Sequence, residues 1–225
     1  MHIDIITLFP DMFADIFSQS ILKRAQNKGL FSVEVHNLRD YSTNKNHNVD
    51  DYPYGGGAGM VIQVEPVDNC LTALKEKRHY GEIIYTAPDG ERLSQSLCNE
   101  LALNDNLCIL CGHYKGVDER IREHLITREI SIGDYVLSGG ELAAAVIADS
   151  VVRLLPGVLN DETSALTDSF QQDLVSPPVY TRPANYKGWR VPDILLGGND
   201  KLIDNWRFEQ AVERTRQRRP ELIEE

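Results

Sequence analysis

The sequence is poor in cysteine, in long apolar runs and in positive charge. Its 225 residues include only 4 cysteines, too few for a disulfide framework in a chain of this length, so we expect reduced thiols. No apolar run approaches the roughly eighteen residues that a membrane span needs, and the first residues lack the basic start of a signal peptide. These absences predict a cytoplasmic protein that does not associate with membranes.

The net charge of −11 and a pI near 5.0 argue against a general polyanion binder held by long-range electrostatics. Any contact with nucleic acid must therefore be local. The positive charge near the C-terminus is carried by five arginines, namely Arg207, Arg214, Arg216, Arg218 and Arg219. Two interpretations of this segment stay open: a basic helix on an acidic body, and an ordinary solvated helix face.

Common catalytic and metal signatures are also missing. There is no H-x-x-x-H pair, no G-x-S-x-G elbow and no Gly-Lys-Ser or Gly-Lys-Thr phosphate loop, so neither a metal site nor hydrolase chemistry is predicted. Cys108 and Cys111 form a C-x-x-C pair, but they lie in an apolar strand pattern. Positions three apart on a strand face opposite sides, so core packing is favoured over a shared ion.

The rest of the composition is that of a folded globular protein, with 42% hydrophobic and 25% charged residues. Apolar periodicity alternates between strand and helix, which predicts a parallel sheet covered by helices on both faces, an α/β fold. The predicted strands cover residues 2–9, 31–38, 82–86, 107–111 and 129–132. The predicted helices cover 66–78, 93–103, 117–124 and 140–155, preceded by one that starts after Pro10 and ends before Gly29.

The sequence predicts two domains joined by a linker. Residues 1–157 form the predicted α/β domain. Residues 158–178 are rich in turn formers and acids without a sustained apolar period, which is typical of a mobile linker. Residues 179–225 are predicted to form a small helical domain, because apolar residues recur there at helical spacing, namely Leu202, Trp206, Ala211 and Val212.

Glycine-bearing loops, at residues 86–90, 111–116 and 131–140, each come at the end of a predicted strand. The carboxyl ends of parallel strands line the ligand crevice of an open sheet, so these loops could form one pocket, suited to an adenine held by backbone groups. The alternative is three tight turns. A fourth segment, residues 54–60, lacks the G-x-G-x-x-G spacing and a preceding strand; it either admits a ligand close to the backbone or is a flexible hairpin.

At these loops the chain resembles the bacterial tRNA (guanine-N1)-methyltransferase family. The resemblance covers nearly the whole chain and rests on Ile6-Thr7-Leu8-Phe9-Pro10, residues 51–60, residues 131–141, residues 155–159, Asp168-Ser169-Phe170, Tyr180-Thr181-Arg182-Pro183 and residues 218–222. It implies a SPOUT fold, that is, a parallel sheet with helices on both faces and a C-terminal trefoil knot, followed by a small all-helical domain. It also implies a homodimer whose active site is shared between subunits.

The implied reaction is methyl transfer from S-adenosyl-L-methionine to N1 of the guanine immediately 3′ of the anticodon, tRNA position 37. The partner is therefore the anticodon stem-loop of tRNA, and the family suggests Mg²⁺ as a further cofactor. Two other readings stay open: a related knotted methyltransferase acting on another RNA, and a catalytically silent RNA-binding module.

The resemblance also implies site residues. The general base would be Asp168, and Arg153 would lie near the methionine end of the cofactor. The cofactor would be bound by Tyr85, Thr86, Pro88, Gly90, Gly112, Tyr114, Gly116, Ile132, Gly133, Asp134, Tyr135, Val136, Leu137, Gly139 and Gly140. The tRNA would be bound by Tyr54, Gly55, Gly56, Gly57, Gly59, Arg182, Arg214 and Arg218.

An acid at position 168 suits this chemistry. Guanine N1 carries a proton and becomes a good nucleophile only as that proton leaves, so a carboxylate within hydrogen-bond reach can accept it. The alternative for Asp168 is a helix cap before Ser169 and Phe170. The chain departs from the family pattern at His113, Lys115 and Ser176, where Arg, Glu and Asp are expected.

Overall fold

A computed structural model describes residues 1–159, 168–171 and 173–223 of the chain. The chain divides into two compact units, Met1–Asn160 and Asp161–Glu225. Of the predicted linker, residues 158–159 fall within the first unit and residues 168–171 and 173–178 within the second, whereas residues 160–167 and 172 lie outside the described residues. No helix in the described ranges is long and apolar enough to cross a membrane.

The first unit is built on one five-stranded sheet. Its strands are β1 (His2–Thr7), β2 (Ser32–Asn37), β5 (Glu82–Arg92), β6 (Asn106–Cys111) and β7 (Arg128–Ser131), in the order β2-β1-β6-β5-β7. Every neighbouring pair is parallel, as predicted. A separate antiparallel pair joins β3 (Asp50–Asp51) to β4 (Val61–Ile62).

The described residues of the first unit include five α-helices, and their apolar faces form a core on each side of the sheet. They are α1 (Ser20–Asn27), α2 (Val64–Lys75), α3 (Gln95–Leu101), α4 (Glu119–His124) and α5 (Glu141–Val152). Buried side chains of α1, α3 and α5 belong to one cluster, and those of α2 and α4 belong to the other. Two-sided burial explains why the central strands are almost continuously apolar.

The C-x-x-C pair shows this alternation directly. Cys108 packs in the cluster with α2 and α4, whereas Cys111 packs in the cluster with α1, α3 and α5. The predicted placement on opposite faces is therefore confirmed. Burial raises the pKa of both thiols well above the usual range, which keeps them protonated and unreactive.

Two predicted elements were wrong in detail. The helix expected after Pro10 starts as two 3₁₀ turns, Pro10–Phe13 and Ile16–Ser18, and becomes α-helical only at Ser20. The strand expected to end at Thr86 continues to Arg92, with its pairing to β7 interrupted between Thr86 and Glu91. The predicted loop is thus an irregular stretch inside a strand.

The described residues of the second unit include a hairpin and one long helix. Its elements include β8 (Asn185–Tyr186), β9 (Trp189–Arg190) and α6 (Asp200–Arg218). The hairpin corrects the prediction of an all-helical domain. The Asn199 side chain caps α6 by accepting from Leu202 N at 3.3 Å, and Thr215 on this helix is fully buried. Its hydroxyl accepts a hydrogen bond from Val175 N at 2.9 Å, which ties residues 173–178 to α6.

Candidate active site

The three predicted loops meet in one cavity of about 560 Å³ at the carboxyl ends of β5, β6 and β7. This arrangement confirms that they form a pocket rather than three separate turns. The predicted cofactor residues that line it are Tyr85, Thr86, Pro88, Gly112, Tyr114, Gly116, Ile132, Gly133, Tyr135, Val136, Leu137, Gly139 and Gly140. Concave sites of this size with few charges suit small organic ligands.

The loops are held together by backbone groups that only glycine leaves accessible. Gly140 N donates to Gly112 O at 2.7 Å, and Gly112 N donates to Thr86 Oγ1 at 3.1 Å. A Cβ atom on Gly140 would overlap Thr86 Oγ1 and lie 2.5 Å from Gly112 N. The close approach of the loops therefore requires glycine at this position.

Gly90 and Asp134 are not among the residues that line the cavity, and their contact with a cofactor stays a prediction. Gly90 lies against β7, where an added Cβ would be 2.6 Å from the carbonyl carbon of Glu129. Its small size serves strand packing instead. Asp134 is exposed.

A buried hydrogen bond supports the third loop from below. Thr7 Oγ1 donates to Glu141 Oε1 at 2.7 Å, and Phe9 N donates to Thr7 Oγ1 at 2.9 Å. Glu141 is the first residue of α5 and follows directly on Gly140. Its carboxylate is 3% exposed, and an acid in the first turn of a helix is favoured by the helix dipole.

Sequence reasoning missed several residues that line the cavity. They are Ala87, Asp89, His113, Lys115, Val117, Glu119, Arg122, Ile130, Ser131, Ser138 and Ala143. Six of them lie inside the three loops that the sequence analysis gave as a pocket, so only their individual contacts were missed: Ala87, Asp89, His113, Lys115, Ser131 and Ser138. Arg122 lies in the middle of a helix, and nothing in the sequence pattern brings it to these loops.

Arg122 organises the charges on one wall. Its Nε donates to Glu129 Oε1 at 2.8 Å, and its Nη2 donates to Asp89 Oδ2 at 2.9 Å. Hydrogen bonds from Arg122 lower the pKa of Asp89, and those with Glu129 and Asp89 raise the pKa of Arg122. The guanidinium carbon also lies 5.9 Å from the centroid of the Tyr85 ring. Tyr85 is itself buried, which raises the pKa of its phenol to about 12.

One buried polar atom of the lining has no partner within the described residues. His113 Nδ1 makes no hydrogen bond there, although its ring packs 4.9 Å from the ring of Phe9 and 4.6 Å from that of Tyr114. A buried polar atom without a partner is costly in a folded protein. A ligand in the cavity could supply that partner.

The glycine-rich segment predicted to bind substrate stands beside the cavity without lining it. Tyr54 is fully exposed, and Gly55, Gly56 and Gly57 have positive φ with open space around each α-carbon. The segment is connected to the second loop because Lys115 N donates to Met60 O at 3.0 Å.

The two predicted catalytic residues lie in different units. Arg153 is half-buried and caps the C-terminal end of α5, where its N–H donates to Asp149 O at 3.2 Å. Asp168 is half-buried in a turn of the second unit. The neighbouring Ser169 Oγ bonds Ser176 Oγ at 3.0 Å. Residues 168–171 form a bend and turn and no helix begins there, so the capping alternative has no support.

The predicted tRNA-binding arginines all belong to the second unit. Arg182 lines a cavity of about 640 Å³ there, together with Arg207 and mainly apolar side chains. Arg214 Nη1 donates to Ser176 O at 3.4 Å, and Arg218 is exposed in the last turn of α6.

The fold brings together one group of metal-ligating atoms that sequence spacing did not indicate. Atoms of His2, Asp4 and Glu34 lie within 4.8 Å of one another among the described residues. Arg78 already supplies a cation there, with Nη1 3.1 Å from Asp4 Oδ2 and Nη2 3.3 Å from Glu34 Oε2. The group begins at the amino end of β1, away from the cavity at the carboxyl ends of the strands.

These features define an α/β protein with a ligand site formed by loops at the carboxyl ends of a parallel sheet. The family model described as "tRNA (Guanine-1)-methyltransferase TrmD" matches residues 1–225. The chain belongs to this family.

Individual relatives match this chain over their full lengths. The chain is 64% identical to a tRNA (guanine-N(1)-)-methyltransferase of Porphyromonas gingivalis and 60% identical to one of Bacteroides thetaiotaomicron, in each case over 225 residues and 100% of both chains. The crystal structure of tRNA (m1G37) methyltransferase from Aquifex aeolicus matches with a TM-score of 0.80 and 38% identity, covering 98% of this chain and 93% of that one.

Proposed function

We propose that this protein is an enzyme that transfers a methyl group from S-adenosyl-L-methionine to N1 of the guanine immediately 3′ of the anticodon in tRNA. The observation that carries the proposal is the three-loop cavity, found in a chain that matches a tRNA (guanine-N1)-methyltransferase family from end to end. The activity for which the relatives are named supports the assignment of a tRNA guanine as the methyl acceptor.

The cavity residues fit the cofactor. Residues 132, 133 and 135–137 line the cavity where an adenine would bind. Within this loop, Gly133 N and Tyr135 N already donate to Ser131 Oγ and Gly133 O. Apolar surface comes from Val136 and Leu137, which are 83% and 39% exposed at the lip of the cavity. The unpartnered Nδ1 of His113 is a polar contact that a bound molecule would satisfy. When bound, the cofactor supplies an electrophilic methyl group on a sulfonium.

The protein's own part of the reaction is proton removal and positioning. The Asp168 carboxylate accepts the proton of guanine N1, which frees the nitrogen lone pair for attack. Arg153 stabilises the negative charge that develops on the guanine, and the cavity holds the reacting groups in line. The glycine-rich residues 54–60 leave room for a flipped-out base, because they present no side chain beyond Tyr54, Ala58 and Met60.

The assembly and threading of the chain are part of the same proposal. The enzyme is a cytoplasmic homodimer, and Asp168 of one subunit serves the cavity of the other. The third loop is threaded as a trefoil knot, which the bond from Gly140 N to Gly112 O would hold closed. Arg182, Arg214 and Arg218 contact the tRNA, whose phosphates attract them locally despite the acidic total charge. The cavity lining holds no cluster of metal-ligand atoms in the described residues, so no step is assigned to Mg²⁺.

The test is methyl transfer from radiolabelled S-adenosylmethionine to tRNA transcripts that differ in one base. One transcript carries guanine immediately 3′ of the anticodon, and its matched control carries adenine there. Label on the guanine transcript alone supports the proposal. Equal label on both would indicate another RNA position, and cofactor binding without any label would indicate a silent binding module.

A further inference from the structure

Lys115 stands between the cavity and the glycine-rich segment. Its side chain lines the cavity, and its aliphatic stem lies along Gly59, where an added Cβ would be 2.7 Å from Lys115 Cγ and 3.2 Å from Cε. Its backbone N–H also donates to Met60 O at 3.0 Å. The backbone and the aliphatic stem of Lys115 therefore both pack on this segment, while the residue as a whole is exposed.

The charge of Lys115 is uncompensated within the described part of the chain. Arg122, the other strong cation of the lining, is neutralised by Asp89 and Glu129. By contrast, Lys115 makes no hydrogen bond or ion pair with any described side chain. Among the described residues of the lining, Lys115 is thus the cation without an acidic partner, since the lining acid Glu119 lies 4.0 Å from Arg122.

This charge restricts how S-adenosylmethionine can lie in the cavity. The molecule carries a sulfonium and an α-ammonium group, and its only negative group is the α-carboxylate. A free ammonium on the wall repels the first two groups and attracts the third. Resting on the function proposed above, we infer that Lys115 binds the cofactor's α-carboxylate and thereby directs the amino-acid end of the cofactor toward the glycine-rich segment.

The experiment removes the Lys115 ammonium by substitution and the α-carboxylate by using a decarboxylated ligand, first separately and then together. Dissociation constants of S-adenosylmethionine and of decarboxylated S-adenosylmethionine are measured by calorimetry for the wild type, Lys115→Met and Lys115→Arg. Lys23→Met is the matched control, because Lys23 is an exposed lysine on α1 outside the cavity. Circular dichroism confirms that each variant is folded.

A charge-assisted hydrogen bond of ordinary strength corresponds to about tenfold in affinity. We expect the wild type and Lys23→Met to bind the carboxylated cofactor about tenfold more tightly than the decarboxylated one. Lys115→Met should bind the two alike, and Lys115→Arg should restore part of the preference. The inference would be overturned if Lys115→Met still bound the carboxylated cofactor about tenfold more tightly than the decarboxylated one. It would also be overturned if the substitution weakened the binding of both ligands equally. If the wild type bound neither ligand, the cofactor assignment itself would fail, and this inference with it.

Discussion

Thr7 and Glu141 are 134 residues apart in the chain, yet the Thr7 hydroxyl donates to the buried Glu141 carboxylate at 2.7 Å. The bond joins the end of β1 to the start of α5, directly below the loop at residues 131–140 that lines the cavity. One buried hydroxyl thus supports both the core and the site.

Thr7→Val keeps the shape of the side chain but removes the hydroxyl. Glu141 Oε1 loses its donor and Phe9 N loses its acceptor, so we expect the free energy of unfolding to fall by about 2 kcal/mol. Binding of S-adenosylmethionine should weaken as the loop loosens. Thr7→Ser keeps the hydroxyl and is the control. Urea unfolding measures the stability of the two variants, and calorimetry measures their cofactor affinity. Equal stability and equal affinity in Thr7→Val and Thr7→Ser would show that the hydrogen bond contributes to neither.

Gly140→Ala places a Cβ atom between two loops that are already in contact. The overlap with Thr86 Oγ1 and Gly112 N should push the loops apart, costing about 1–3 kcal/mol of stability and most of the cofactor affinity. Gly197→Ala is the matched control, since a Cβ there would meet only Ile194 O, at 3.6 Å. Thermal unfolding with and without cofactor measures both effects. A Gly140→Ala protein that bound cofactor normally would show that the loops can separate without harm.

Asp168→Asn removes the proposed proton acceptor and keeps its size. We expect kcat to fall by about 10²–10⁴-fold, the usual contribution of a general base, with the dissociation constant of the cofactor unchanged. Asp173→Asn replaces an exposed acid of the same unit and should leave kcat unchanged. Single-turnover methyl transfer gives the rates. Undiminished turnover in Asp168→Asn would remove the base assignment.

Mixing two inactive variants tests whether subunits share their active sites. If Asp168 of one subunit serves the cavity of the other, an Asp168→Asn/Arg153→Ala heterodimer contains one site with both defects and one with neither. About half of the wild-type activity per heterodimer should then return. Activity of the co-expressed, differently tagged pair is compared with each variant alone. An active enzyme that sediments as a monomer would contradict the shared site.

The buried Asp4 carboxyl is expected to make the free energy of unfolding fall in acid. This carboxyl is fully buried. Burial alone would raise its pKa, but hydrogen bonds with His36, Tyr80 and His2 lower the pKa to about 2. Because this pKa is lower in the folded protein than in the unfolded chain, where it is about 3.9, the ionised carboxyl stabilises the fold at pH values above about 4. This contribution, about 2 kcal/mol, is lost as the pH falls from about 4 toward 2.

Urea unfolding between pH 7 and pH 2.5 measures this effect. Asp4→Asn should be less stable than the wild type at pH 7 and should lose less stability on acidification. Asp68→Asn, which replaces an exposed acid on α2, should follow the wild-type pH profile. Parallel profiles for wild type and Asp4→Asn would show that Asp4 does not titrate with unfolding in this range.

The amino-acid sequence by itself determined the parallel sheet and its two apolar faces, and it gave the meeting of three loops in one pocket as one of two interpretations. Each of these follows from short-range periodicity, because strand alternation places Cys108 and Cys111 on opposite faces and parallel strands end on one edge. The family resemblance added the reaction, which no local pattern encodes.

Only the tertiary structure decided which distant side chains complete the site. The ion pairs of Arg122 with Asp89 and Glu129, the bond between Thr7 and Glu141 and the packing of Gly90 on β7 all depend on strand order. Strand order arises from long-range contacts rather than from the periodicity of any segment. For the same reason the strand expected to end at Thr86 continues to Arg92, since β7 lies beside it and pairs with the chain beyond the irregular stretch.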